Sequence, residues 1–423
     1  LRFSMVSFCS QFINIKFESD HIVENMSTRR YDFDRVIDRK GTDSVKYDLL
    51  TTLYGREDLL PMWVADMDFE VPPFIREAIQ ERAAHPVYGY TFRPGRFYEA
   101  VTGWLQRRHR WNIPVETINF SPGVVPALNL CVLAYTEPGD RVIVQPPVYF
   151  PFFTAIKNHG RVMVENELIC EDGRYTMDMA GLEEEFKKGV KMMLFCHPHN
   201  PVGRAWSSEE LEALAQLCVK YDVLLLSDEI HSDLLLFGNR HIPVASLGDA
   251  IAAQTITCMA PSKTFNLAGL HSSAVIITNP ELKKVYDQAL DAYHIGGGNL
   301  FGMVAMEAAY NEGDEWLDQL IEYLEGNFTF FKEAMEEFVP DIRVFPLEAT
   351  YLAWLDFRAM DMEDKSLRNF ITSKAHLGLV DGSRFGSGGS GFQRINIAAP
   401  RSVLEQATEQ LTGAVKGYLR QKV

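Results

Sequence analysis

Val223-Leu224-Leu225-Leu226-Ser227-Asp228 is an unbroken aliphatic run closed by a carboxylate. A strand with one face in water alternates apolar and polar side chains, so a continuous run is the pattern of a strand buried on both faces of a parallel sheet. Similar runs flank it: Val142-Ile143-Val144, Met192-Met193-Leu194-Phe195-Cys196, Thr255-Ile256-Thr257-Cys258 and Ala274-Val275-Ile276-Ile277. Between two of them Ser207 and Glu210 make a capping box, and Leu211, Leu214, Ala215 and Cys218 then form one apolar helical stripe. Strand–helix alternation predicts an α/β fold, a mostly parallel central sheet with helices on both faces. Ligands of such sheets bind beyond the carboxyl ends of the strands. That rule selects three residues at or just past the ends of these runs: Asn200, Asp228 and Lys263.

Past residue 315 the pattern changes. Helical segments over 315–337 and 365–375 alternate with strand-like pieces at 351–356 and 393–398, and a last helix covers 403–419, which predicts a smaller α+β domain. The expected division is a large domain over 71–315, a small one over 316–423, and a segment over 26–70 that joins the small domain. Residues 1–25 read as an extension ahead of a natural start at Met26. Their apolar-leaning beginning is broken by Arg2, Asn14 and Lys16 and is too short to span a bilayer.

The chain has 423 residues, 47% hydrophobic and 23% charged, which excludes a disordered or fibrous protein. Its 41 Lys+Arg against 57 Asp+Glu leave a net charge of −16, the wrong sign for a nucleic-acid or anionic-membrane partner. Six cysteines without a CxxC pair read as free thiols in a reducing compartment, which predicts a soluble, cytoplasmic protein.

Lys263 follows a buried strand, where desolvation would lower its pKa and make its amine a nucleophile. Asp228 is costly to bury unless it meets a cation or a donor; it reads either as a helix cap or as the partner of a buried positive nitrogen. Asn200 lies in the turn His197-Pro198-His199-Asn200-Pro201-Val202-Gly203. The His-x-His pair lacks further ligands at recognisable spacing, so no zinc site is expected. Gly386-Ser387-Gly388-Gly389-Ser390-Gly391 matches GxGxxG literally, but a strand-like segment comes after it instead of a helix, so the glycines read as a loop and not a dinucleotide site.

Asn200, Asp228 and Lys263, in this order and spacing, resemble the fold-type I pyridoxal-phosphate (PLP) enzymes of the class I/II aminotransferase superfamily. Further segments narrow the resemblance to the cystathionine β-lyase/cystalysin group, the MalY/PatB-like C–S lyases. These are Asp38–Asp48, Trp63-Val64-Ala65-Asp66-Met67-Asp68-Phe69, Val87-Tyr88-Gly89-Tyr90-Thr91, Ser121–Pro126, Pro146-Pro147-Val148-Tyr149, Ser227–His231 and Arg394-Ile395-Asn396. The likeness runs from about residue 31 onward and implies a fold-type I PLP-dependent transferase fold with pyridoxal 5'-phosphate as cofactor.

The resemblance implies that Lys263 holds PLP covalently and then acts as base at the substrate Cα. Asp228 would pair with the pyridinium nitrogen, Tyr149 stack on the ring, and Asn200 donate to its phenolic oxygen. Gly123, Val124, Val125 and Ser262 would hold the phosphate, with Tyr90 reaching the phosphate of a neighbouring subunit in a homodimer. Arg394 would grip the substrate carboxylate, with Ala65 bordering the same end. The chain departs from the wider superfamily at Ala260, His271 and His231, where Ser, Arg and Tyr are usual around the cofactor, and at Phe150, where close relatives often have a second Tyr. The implied activity is β-elimination from a sulfur-containing amino acid. An aminotransferase on the same scaffold and a lyase-like regulatory protein are the other readings.

Overall fold

The computed structural model describes residues 30–422, and Asp32 onward forms one compact unit. The expected extension over 1–25 and the start at Met26 lie outside the described residues. Seven strands make the central sheet: β1 (Ile118–Ser121), β2 (Arg141–Val144), β3 (Val162–Glu165), β4 (Val190–Cys196), β5 (Leu224–Asp228), β6 (Thr255–Met259) and β7 (Ser273–Ile277). Their order across the sheet is β1-β7-β6-β5-β4-β2-β3.

The continuous apolar runs are strands because both faces of the sheet are covered. In β4, Met193 and Phe195 enter one buried cluster while Met192, Leu194 and Cys196 enter the other. Helix α1 (Val124–Tyr135) lays Ala127, Leu128 and Cys131 on the second cluster. Helix α2 (Ser208–Tyr221) lays Leu211, Leu214, Ala215 and Cys218 on the first, and the capping box of Ser207 and Glu210 opens it as expected.

One run differs from the parallel pattern. Ala274–Ile277 belongs to β7, which is antiparallel to both its neighbours, β1 and β6. Only a short helix and a 3-10 turn separate β6 from β7. A parallel neighbour needs a crossover element, usually a full helix, to carry the chain back along the sheet; residues 260–272 hold only the four-residue helix Pro261–Thr264 and that turn, so the chain turns back. Strands β1 and β3 are not among the runs singled out from the sequence. The first interleaves Asn119 and Ser121 with its apolar residues, and the second lies at the sheet edge with Val162 exposed.

A four-stranded antiparallel sheet comes next, built from β8 (Arg343–Val344), β9 (Leu352–Asp356), β10 (Val380–Asp381) and β11 (Phe392–Asn396) in the order β8-β9-β11-β10. The helices expected around it run over Asp314–Phe338, Asp364–Ser373 and Arg401–Lys422. Early chain reaches this sheet as well: Leu60–Pro61 pairs in parallel with Leu377–Gly378, and the Asn396 amide donates to the Met62 carbonyl at 2.9 Å. No helix among the described residues is long and apolar enough to cross a membrane.

The segment after Leu60–Pro61 is fixed by buried charge. Lys46 is fully buried and donates to Asp68 at 2.7 Å, and Arg39 bridges Asp66 and Asp68 at 2.7 Å each. Removing one member of a buried pair strands the other's charge. Lys46→Ala is therefore expected to cost about 3–5 kcal/mol, read as a drop in the urea midpoint of unfolding.

Candidate active site

Strands β4, β5 and β6 end level with one another, since Cys196 pairs with Asp228 and Asp228 with Cys258. That register brings the three residues singled out from sequence to one edge of the sheet. Asp228 is the last residue of β5, Asn200 follows β4 by a tight turn, and Lys263 sits on the short helix Pro261–Thr264 after β6. All three face one cavity of about 380 Å³, which Tyr149, His231 and Ser262 also line.

Asp228 is 3% exposed, and its one donor among the described residues is the Ile230 amide at 3.2 Å. A turn comes after it, not a helix, so it caps no helix. Burial pushes its carboxyl up to about 7, against the smaller opposing pull of that backbone bond and of the Lys263 charge. A carboxyl in this state lacks a cationic partner. The Lys263 amine is shifted the other way, down to about 8, first by desolvation, with the Arg394 charge adding to it and Asp66 and Asp228 opposing. It donates to the Ala65 carbonyl at 2.6 Å.

Gly123 caps the N-terminus of α1 with φ +144°, a region that side chains rarely adopt, so only glycine turns there without strain. The amides of Val124 and Val125 open the helix toward the cavity and make an anion site. Asn200 accepts from Arg394 at 2.9 Å through Oδ1, which leaves its Nδ2 to donate elsewhere. An uncompensated carboxyl at one end, helix amides at the other and an activated amine between them fit a phosphorylated pyridine aldehyde. PLP is such a group.

Arg394 stands behind the cavity wall, 4% exposed. It also donates to the Trp63 carbonyl at 3.1 Å, lies 5.0 Å from the Phe385 ring, and leaves Nε buried without a partner. Burial lowers its pKa to about 10. Ala65 lines the cavity itself. His231 lines the cavity with Nδ1 buried and unpartnered; burial, then the charges of Lys263 and Arg394, hold the ring neutral well below its usual range. Burial raises the Tyr149 hydroxyl, so it carries its proton at neutral pH.

Tyr90 is not brought to this cavity. It is fully exposed, in a segment where Val87, Tyr88 and Phe92 are exposed as well. His197 and His199 point their Nε2 atoms at the Ile242 and Pro147 carbonyls, 3.1 and 3.0 Å away. No group of three potential metal ligands occurs among the described residues. Gly386–Gly391 is a turn that feeds directly into β11, with Gly386, Gly388 and Gly391 at positive φ.

Three contributors carry no mark in the sequence. Tyr351 donates to the same Ala65 carbonyl as Lys263, at 3.0 Å, yet in sequence it is one more apolar residue of a strand. Asn266, three residues past Lys263, accepts from the Met67 amide at 3.0 Å and donates to the Met67 carbonyl at 2.9 Å. Asn396, two past Arg394, donates to the Val64 and Asp66 carbonyls at 2.7 and 2.6 Å. Both stand close to a residue with a family role, but an Asn carries no sign of which backbone it will fasten.

The Asp228 shift has a consequence for stability. Its folded pKa of about 7 lies above the ordinary 3.8, so between these values the folded, cofactor-free protein binds a proton that the unfolded chain has lost. Stability therefore falls as pH rises through this window. Asp228→Asn removes the loss: the cofactor-free variant should be more stable than the cofactor-free parent by about 1–3 kcal/mol at pH 8 and equal to it near pH 4, compared by urea denaturation at both pH values.

The family of class I and II aminotransferases matches residues 57–411. Cystathionine beta-lyase PatB of Bacillus subtilis is 44% identical over 384 residues, which are 90% of this chain and 99% of that protein. Protein MalY of Escherichia coli is 32% identical over 389 residues, 91% of this chain and 99% of its own. Among solved structures, cystalysin from Treponema denticola, which contains a pyridoxal 5'-phosphate cofactor, superposes with a TM-score of 0.90 at 40% identity, covering 92% of this chain and 100% of that one.

Proposed function

The chain belongs to the class I and II aminotransferase family, on its MalY/PatB-like cystathionine β-lyase branch, and from that premise we propose a PLP-dependent carbon–sulfur β-lyase. It splits L-cystathionine, or a related S-substituted cysteine, to a thiol, pyruvate and ammonia. One observation carries the reading at this site: a carboxyl without a cation and an amine lowered to about 8 face each other across one cavity.

Lys263 would hold PLP through its amine, Asp228 would pair with the ring nitrogen, Tyr149 would cover the ring, and Asn200 would donate from Nδ2 to the phenolic oxygen. His231, which lines the cavity, would border the same ring. The amides of Gly123, Val124 and Val125 and the Ser262 hydroxyl would take the phosphate. When bound, PLP supplies an electron sink beside the substrate Cα.

Arg394 binds the substrate carboxylate by its guanidinium fork, oriented by the Trp63 carbonyl and Asn200. That contact sets the Cα–H before the Lys263 amine, whose depressed pKa leaves a large neutral fraction near pH 8 to accept the proton. The Cβ–S bond then breaks, and the leaving sulfur takes a proton from Lys263 or from the Tyr149 hydroxyl. The enamine released hydrolyses in water to pyruvate and ammonia. Ala65 and Tyr351 hold the amine on the substrate side of the wall.

The exposed Tyr90 segment supports a homodimer in which Tyr90 completes the phosphate site of the partner subunit. The five described cysteines stand free, which supports a reducing, cytoplasmic setting. The division into a large cofactor-binding domain over 71–315 and a small one over 316–423 belongs to the same proposal.

Incubated with L-cystathionine, the purified protein should release pyruvate and free thiol in equal amounts. Amino transfer to a keto acid without pyruvate would overturn the reading. Lys263→Ala should lose the visible absorbance of covalently held cofactor and at least about 10³-fold in elimination rate. Light scattering should find a dimer. Tyr90→Phe should remain dimeric while releasing PLP on dialysis about tenfold more readily, as the loss of one phosphate hydrogen bond predicts.

A further inference from the structure

Arg384 lies in the loop between β10 and β11, ten residues before Arg394. Its guanidinium lies 4.4 Å from the centre of the Phe150 ring. Phe150 in turn packs 5.3 Å from Tyr149 and 6.0 Å from Phe385, and Phe385 carries Arg394 at 5.0 Å. A continuous aromatic wall thus has Tyr149 at the cofactor, Arg394 on one ring and Arg384 on another.

The two arginines differ in what they already hold. Arg394 is buried and bonded. Arg384 is exposed and has no carboxylate partner among the described residues. The nearest candidate on its own loop, Asp381, is taken by Arg368 and by Gln393 at 3.1 Å. The neighbouring Arg358 and Arg368 each have an acidic partner, so Arg384 is the arginine of this corner that is exposed and uncommitted. Stacking on a ring uses the face of the guanidinium and leaves its edge donors free for a carboxylate.

Position adds to availability. Arg384 lines a second cavity, of about 300 Å³, with Tyr54 and Trp63. The Trp63 carbonyl is the one that orients Arg394. Trp63 thus links the two, lining the second cavity and holding Arg394 by its carbonyl, and the Arg384 charge is close enough to add to the lowering of Arg394.

We propose that Arg384 is a specificity-determining residue that binds a carboxylate on the leaving-group side of the substrate, so that the enzyme prefers S-substituted cysteines whose thiol fragment carries one, as L-cystathionine does. The inference rests on the lyase reading and deepens it. Arg384 is remote from the Cβ–S bond, so it strengthens binding without helping the bond to break. Its contribution falls on KM and weakens with added salt, because an exposed charge is screened.

The experiment compares L-cystathionine, S-(2-carboxyethyl)-L-cysteine and S-propyl-L-cysteine on the holoenzyme, with pyruvate as readout. The last two have side chains of similar reach and differ mainly in the distal carboxylate. Arg384→Ala should raise KM about tenfold for the two substrates with a distal carboxylate and change it by less than about twofold for S-propyl-L-cysteine, with kcat near parental throughout. Arg384→Lys should recover part of the loss, and the visible absorbance of bound cofactor should match the parent in both variants. An equal change for all three substrates, or none, overturns the role of Arg384 while leaving the lyase intact. Absence of pyruvate from every substrate in the parent protein overturns the lyase reading, and the role of Arg384 with it.

Discussion

Asp228 ends a strand inside the protein with a single backbone donor, and among the described residues it has no ion-pair partner in contact, only the weaker pull of the Lys263 charge. Left to itself such a carboxyl takes up a proton, as its pKa of about 7 records. A protonated ring nitrogen supplied from outside removes that cost, and the ionised carboxylate in turn keeps the nitrogen charged. The unfavourable burial in the protein alone is thus the other side of a favourable contact in the holoenzyme. It also fixes where the remaining groups must stand. On the proposed reading the phosphate end would meet the helix amides at Gly123–Val125, and the reactive carbon would meet Lys263.

A second set of contacts converts that fixed point into a substrate site. The backbone from Trp63 to Phe69 carries no reacting group, yet it is held from four directions: by Arg39 and Lys46 through Asp66 and Asp68, by Asn266 from beside Lys263, by Asn396 from beside Arg394, and by Tyr351 at the Ala65 carbonyl. The amide staples are short, and the ion pairs are partly or wholly out of water, where breaking one leaves the other unpaired. The Trp63 and Ala65 carbonyls then orient Arg394 and the Lys263 amine, respectively. A shift of this segment would move both ends of the substrate grip together.

Much of this is legible in the order of residues, because burial writes itself into hydropathy. The runs ending at Cys196, Asp228 and Cys258 are apolar because both faces are covered, and the chemistry-bearing residues come just after them because the chain must surface there. Direction is not written in the same way. Ala274–Ile277 has the composition of its neighbours and runs opposite to them, since strand polarity depends on whether the connection builds a crossover helix and not on the strand's composition. The staples of Asn266 and Asn396 depend on which backbone passes within reach, a property of the folded chain alone. Tyr90 shows the converse case: its motif is legible, yet within the single chain it only faces solvent, and the role proposed for it would lie in a partner subunit.

Lys263 and Arg394 show how one physical effect assigns two roles. Desolvation is the first cause for both, and each is lowered by about the same amount, from 10.5 to about 8 and from 12.5 to about 10. The starting values decide the outcome. An amine at about 8 is neutral about a tenth of the time at pH 7 and about half of it at pH 8, and in that form can accept the Cα proton. A guanidinium at about 10 remains charged under the same conditions and can hold a carboxylate. Exchanging the two side chains would undo these roles: a lysine at 394 would lose the fork and hold its charge less firmly, and an arginine at 263 could neither bond to the cofactor aldehyde nor act as a base. The acidic exterior of the chain does not enter this balance. The local exclusion of water does, and the protein creates it by packing Tyr149, Phe385 and the fastened Trp63–Phe69 segment around the two cations.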